Sequence, residues 1–174
     1  MAIRPILHIP TPCLREVAAP VVEINDEIKT LVKDMFDTMY DAPGVGLAAP
    51  QIGVSQQIMI IASRPNERYP DAPLMEPLVM FNPKPVSYAG DGVAMWEGCL
   101  SVPGLRGKVT RPSAVDVEYL NENGHPDRLS LSGFPARIFQ HEYDHLIGKT
   151  FVDRVASVTD LVTDKVYFQL MAQS

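Results

Sequence analysis

The chain has 174 residues, 46% hydrophobic and 21% charged, a balance expected of one soluble globular domain over residues 1–174. A net charge of −6, with scattered Lys and Arg, excludes a global basic field for sequence-specific nucleic acid or an anionic membrane. No apolar run approaches the roughly 18–20 residues that cross a bilayer, and the proline-broken start is no signal or transit peptide, so the expected setting is the cytoplasm.

Residues 1–24 alternate Pro with small apolar groups and read as extended or irregular. Two cysteines occur, Cys13 and Cys99. In a reducing compartment they need not pair, and a well-placed thiolate is free to serve as a ligand. Cys13 has no His or carboxylate arranged around it and reads as a packing residue. Asn25-Asp26-Glu27 offers a capping side chain and an acidic first turn. Ile28, Leu31, Val32, Met35, Phe36 and Met39 follow at the spacing of one helical face, which predicts an amphipathic helix ending near Tyr40.

Gly44-Val45-Gly46-Leu47-Ala48-Ala49-Pro50-Gln51 comes next, and its small residues let a backbone approach something closely. It has neither the Gly-x-Gly-x-x-Gly nor the Lys-Ser/Thr of nucleotide-binding loops. A structural turn is the competing reading, and Gln51 is either an ordinary polar residue or a donor aimed into a cleft.

Gln57 to Ala62 predicts a buried strand, residues 63–77 a surface loop, and Leu78 to Phe81 a strand stopped by Asn82-Pro83. Gly92 to Trp96 predicts a third strand, leading directly into Glu97-Gly98-Cys99-Leu100-Ser101. Val115, Val117 and Tyr119 alternate with Asp116 and Glu118, Asn121 to Gly124 supplies a turn, and Leu129 and Leu131 continue the alternation. This predicts a hairpin with His125 solvated at its tip. Ser132 or Gly133 begins a further helix, with Pro135 tolerated in its first turn and Gly148 closing it. Val166, Phe168 and Leu170 alternate with Tyr167 and Gln169, which predicts a terminal strand.

The helix after Ser132 carries His141-Glu142-Tyr143-Asp144-His145. Residues i and i+4 share one helical face, so His141 and His145 can offer two imidazoles to one metal ion while Glu142 takes a proton from water. Phe134 and Ile138 lie on the same face, which places both His on the buried side. The competing reading is a surface helix with solvated His and Glu. A catalytic site of this kind needs a third protein ligand. The zincin third His is absent, since its position holds Phe151, and no Glu follows Glu142. Asp153, Asp160 and Asp164 are possible oxygen ligands; an upstream ligand fits better, and Cys99 is the thiol available near mid-chain.

Gly44 to Gln51, Glu97 to Ser101 and Gln140 to Gly148 together resemble the peptide deformylases, through Gly-x-Gly-Leu-Ala-Ala-x-Gln, Glu-Gly-Cys-x-Ser and Gln-His-Glu-x-Asp-His. The resemblance implies an α+β fold, antiparallel or mixed strands packed around a central metal-binding helix, with the N-terminal amphipathic helix and a C-terminal strand. It implies one divalent ion held by Cys99, His141 and His145. Fe²⁺ is expected physiologically, with Zn²⁺, Ni²⁺ or Co²⁺ able to replace it. Glu142 would be the base, with the Gln51 amide and the Leu100 backbone N–H facing the oxyanion. Val45, Gly46 and Gly98 would pair with the substrate backbone. Met95, Phe134, Ile138 and the stem of Arg137 would receive the methionine side chain, with Arg106 at the mouth and a Glu97–Arg111 ion pair in support. The implied partners are N-formylmethionyl nascent chains, and the ribosome in passing.

Two features depart from the pattern. Many bacterial members end in a long charged helix where this chain reads as a strand, and Gly133 to Ile138 resembles a mitochondrial subgroup while Val102-Pro103-Gly104 looks bacterial. A zincin protease and a catalytically silent peptide binder are the rival readings. The first lacks its third ligand, and the second commonly loses Glu142 or a metal ligand, which this chain keeps.

Overall fold

The computed structural model describes residues 2–173. Helix α1 spans Asp26–Asp41, and the Asn25 side chain accepts from the Ile28 N–H at 3.0 Å, satisfying one of the amides that a helix start leaves orphaned. Its predicted face is the buried one, with Ile28, Leu31, Met35 and Met39 in the core. The N-terminal segment is tied onto the same helix: the Arg4 guanidinium and the Ala2 N–H both reach the buried carboxylate of Asp34.

Strands β1 (Gly46–Ala48), β2 (Ile58–Ile61), β3 (Leu78–Cys99), β4 (Val102–Leu120) and β5 (Pro126–Ser132) form an antiparallel sheet in that spatial order. The uninterrupted apolar run of β2 has a direct cause: both of its faces are covered. Met59 and Ile61 pack in the cluster around Ile138 and Phe139 of α2 (Gly133–Leu146), while Ile58 and Ile60 pack with Met35 and Met39 of α1. The expected hairpin is β4–β5, turned by Asn121 to Gly124, with His125 exposed at its tip. No helix among the described residues is long and apolar enough to cross a membrane.

Two expectations need correction. The strand beginning at Leu78 does not stop at Asn82-Pro83 but runs on through Gly92–Trp96 to Cys99 as one element. Asn82 takes a left-handed φ of 50°, its side chain bonds the Val21 N–H and C=O, and the register with β4 shifts between Phe81 and Lys84. A bulge therefore absorbs the break. Pro83 and Pro85 are tolerated because β2 pairs with β3 only as far as Phe81, leaving one edge without a ladder.

The second correction is at the C-terminus. A short strand β6 (Leu161–Thr163) pairs with Leu105–Gly107 of β4, and Asp164–Ala172 is a helix, α3. Thr163 caps it by accepting from the Val166 N–H, and Asp164 sits in the first turn, where the helix dipole favours a carboxylate. The alternation of Val166, Phe168 and Leu170 carried no strand information because none of the three is buried. Residues 63–77 form the expected loop, and its Arg68 and Tyr69 also wall the site.

Candidate metal centre

Three separate parts of the chain converge on one cleft. Helix α2 supplies His141, Glu142 and His145; the end of β3 supplies Gly98 and Cys99; β1 and the turn after it supply Gly46 and Gln51. The Cys99 thiol, His141 and His145 bring their ligand atoms within 4.8 Å of one another, and Cys99 Sγ lies 3.2 Å from His145 Nε2. Donors bound to one tetrahedral ion at about 2.0–2.3 Å lie roughly 3.5 Å apart, so this spacing fits a single cation. Burial alone would raise the Cys99 thiol, but the adjoining His145 and His141 imidazoles outweigh it and hold the pKa well below the usual thiol range. A thiolate is the ligating form.

His141 is oriented from behind. Its Nδ1 meets Glu97 Oε1 at 2.8 Å, which leaves Nε2 as the nitrogen that would hold an ion. Glu97 is itself clamped: Arg111 bonds both carboxylate oxygens at 2.7 and 3.0 Å, and Arg137 Nη1 reaches Oε2 at 2.7 Å. Desolvation would raise the Glu97 carboxyl, but its bonds to His141 and Arg111 win and keep it well below the usual carboxylate range.

Glu142 lies on the opposite balance. Burial pushes its pKa up to about 7 against the pull of the His141 and His145 imidazoles. Its Oε2 is buried without a hydrogen-bond partner, an unmet acceptor beside three metal-type donors. A coordinated water would satisfy it, and the residues therefore fit a hydrolytic cation.

Gln51 has a fixed orientation. Its Oε1 accepts from the Ala48 N–H at 2.8 Å, which turns the Nε2 amide toward Cys99 Sγ (3.6 Å) and Ser101 Oγ (3.2 Å). The cleft is lined by Val45, Gly46, Gln51, Gly98, Leu100, Phe134, Arg137 and Ile138 along with Cys99, His141 and Glu142. The β1 strand is an edge of the sheet, so one side of its backbone lacks a strand partner.

Two expected lining residues stand elsewhere. Met95 is outside the cleft and 39% exposed, because it sits two residues before Glu97, roughly 7 Å back along the strand. Arg106 is buried behind Gly98 and not at the mouth: a Cβ on Gly98 would lie 2.8 Å from its Cζ and Nε. Its Nε bonds Asp164 of α3 at 2.9 Å, and the Tyr167 and Phe168 rings cover it.

Sequence reading missed Tyr69, Arg68 and Trp96. Tyr69 reaches back from the loop to pack on Phe134 with ring centroids 5.4 Å apart, and Trp96 meets Tyr167 edge-on. The Arg68-Tyr69-Pro70 run was the available signal, since a large aromatic in a polar loop needs a surface to cover.

A helix carrying His-Glu-x-x-His, a strand-borne thiol within reach of both imidazoles and a preset amide donor together have the make-up of a metallohydrolase site. Comparison with known proteins makes the class specific. The family described as Polypeptide deformylase matches residues 3–160. Peptide deformylase 2 of Nostoc sp. is 47% identical over 171 residues, covering 98% of this chain and 96% of that protein. The peptide deformylase of Aquifex aeolicus is 49% identical, covering 88% of each. A Met-Ala-Ser-bound crystal structure of class I type b peptide deformylase from Acinetobacter baumannii superposes with a TM-score of 0.86 at 43% identity, covering 88% of this chain and 99% of that one. The chain belongs to the polypeptide deformylase family, metal-dependent hydrolases that remove the N-formyl group from newly made polypeptides.

Proposed function

We infer that residues 1–174 form one catalytic domain that deformylates N-formylmethionyl nascent chains in the cytoplasm, releasing formate and meeting the ribosome only in passing. The observation that carries this reading is the juxtaposition of Cys99, His141 and His145 with the orphaned Glu142 carboxylate at the floor of a cleft. Cys99, His141 and His145 hold the ion. Fe²⁺ is the proposed native metal, because one thiolate with two imidazoles suits a soft-to-borderline dication; Zn²⁺, Ni²⁺ and Co²⁺ suit the same donors. When bound, the ion supplies Lewis acidity that lowers the pKa of water to about 7.

The residues around it do the rest. Glu142, whose buried Oε2 has no other hydrogen-bond partner, takes a proton from the attacking water and returns it to the departing amine nitrogen. The Gln51 amide and the Leu100 backbone N–H donate to the formyl oxygen as charge develops there, each contribution worth about 3 kcal/mol. Gly46 at the edge strand β1 and Val45 just before it, with Gly98 across the cleft, pair with the substrate backbone as an added strand. Phe134, Ile138 and the stem of Arg137 take the methionine side chain, with Tyr69 closing that end.

The test is formate release from a formyl-Met tripeptide by anaerobically prepared Fe²⁺ protein beside Glu142→Ala. Turnover is expected in the first, and a loss of about 10²–10⁴-fold or more in the second with metal retained. No formate from fully metallated protein would overturn the reading.

A further inference from the structure

The Asp of the Gln-His-Glu-x-Asp-His stretch has no part in the chemistry above, yet it is one of the most tightly held carboxylates in the molecule. Asp144 is 2% exposed. Its Oδ2 accepts from Arg111 Nη1 at 2.9 Å, and Arg154 grips both oxygens, with Nη2 at 2.6 Å from Oδ1 and Nε at 3.1 and 3.2 Å from Oδ1 and Oδ2. The same Arg111 uses Nε and Nη2 on Glu97, and Glu97 meets His141 Nδ1. Charges therefore alternate along one continuous buried path from Arg154 to a metal ligand.

We propose that Arg154 is a positioning residue for His141, acting through Asp144, Arg111 and Glu97. The inference rests on the metal-site reading above.

The geometry gives the path direction. Arg111 is a single rigid fork shared between two carboxylates, so a shift at Asp144 must move it relative to Glu97. Arg154 is the solvent-side end of the path: its side chain is 37% exposed, and it borders an open cavity of about 330 Å³ together with Tyr88, Gln140 and Tyr143. Without Arg154, Asp144 keeps only Arg111 and opens to water in that cavity. Arg111 then turns toward Asp144 and loosens on Glu97, which Arg137 alone still holds, so the carboxylate shifts and carries with it the imidazole that it orients.

A plain structural latch would look different. Arg154 lies in the short 3-10 turn Phe151–Arg154, which is anchored independently: Asp153 accepts from the Thr150 N–H at 2.8 Å and from Arg15 Nη1 at 2.5 Å, and Phe151 is fully buried. The turn keeps its place when Arg154 is replaced, so a change at the metal would be transmitted through the path and not through loss of the turn.

Arg154→Gln removes the charge at similar length, and Arg154→Lys keeps the charge without the fork. Both are compared with wild type as metal-free proteins for thermal midpoint, then for Zn²⁺ affinity by chelator competition and for the visible spectrum of the Co²⁺ form. Arg154→Gln is expected to bind Zn²⁺ about 10-fold more weakly, as loss of an outer partner of a ligating His typically does, with displaced Co²⁺ bands. Arg154→Lys is expected to recover part of both changes. Zn²⁺ affinity within twofold of wild type and unmoved Co²⁺ bands overturn the proposal, whatever happens to the midpoint. Should the Gln variant fail to fold, wild-type affinity and spectrum in Arg154→Lys overturn it equally. Failure of the wild-type protein to bind metal or release formate would instead sink the underlying site reading.

Discussion

Gly46→Ala tests how closely β1 and α2 must approach. A Cβ built on Gly46 would stand 2.6 Å from Glu142 Oε1, 2.8 Å from Glu142 Cγ and 2.8 Å from Ile138 Cγ2. Ordinary contact requires about 3.4 Å or more, so something must recede by roughly 0.8 Å. Glu142 ends in a flexible carboxylate, while Ile138 is packed in the core and 3% exposed, so the base yields more readily than the helix. Misplacing a reacting group by about 1 Å costs on the order of 100-fold, which predicts a fall in kcat of about 30- to 100-fold. The overpacking itself should cost about 1–3 kcal/mol. The assay is formate release at saturating peptide, with metal content and denaturant midpoint measured on the same preparation. A kcat within threefold of wild type would refute the reasoning. If the midpoint fell at the same time, strand and helix would have parted and left Glu142 in place.

Three further outcomes follow from the same site. Glu97→Gln leaves Arg111 and Arg137 facing an amide at a position only 4% exposed, and should cost about 3–5 kcal/mol in denaturant unfolding; a loss under 1 kcal/mol would contradict the clamp. The Glu97 carboxyl is depressed in the folded state, so its stabilisation is fully present above its unfolded pKa of 4.5 and is lost as pH falls toward the folded value. Acid unfolding of the metal-free protein should accordingly be steeper below pH 4.5 in wild type than in Glu97→Gln, and parallel curves would remove Glu97 from the account. Metal that binds only the folded triad stabilises by mass action, about 4 kcal/mol at 1,000 times its Kd, so the thermal midpoint should climb with the logarithm of Zn²⁺ concentration and drop on chelation. A midpoint indifferent to metal would mean that Cys99, His141 and His145 do not act as one site.

The parts of this protein that were legible in sequence are those governed by local periodicity. His141 and His145 share a face because of the helical repeat alone, and the core stripe of α1 follows from the same rule. The continuous apolar run of β2 announced a buried strand, and Asn121 to Gly124 announced the turn of the β4–β5 hairpin. The resemblance carried by three short stretches supplied the family, which the comparisons bear out. Where local pattern was used without a buried face to anchor it, at Val166 to Leu170, it misled.

Tertiary structure decided what depends on register and on distant partners. The Cys99 thiol reaches His145 from 46 residues away because β3 continues past Asn82-Pro83 along its ladder with β4, and no local window contains that partner strand. The β3–β4 register sets Gly98 opposite Arg106, which fills the space behind the glycine and draws Arg106 away from the cleft mouth. In sequence Arg154 reads as an ordinary charge, and Arg111 as the partner of Glu97 alone. Buried against Glu97 and Asp144, they become fixed, since a charge removed from water is held wherever its counter-charges stand, and only the fold determines where that is.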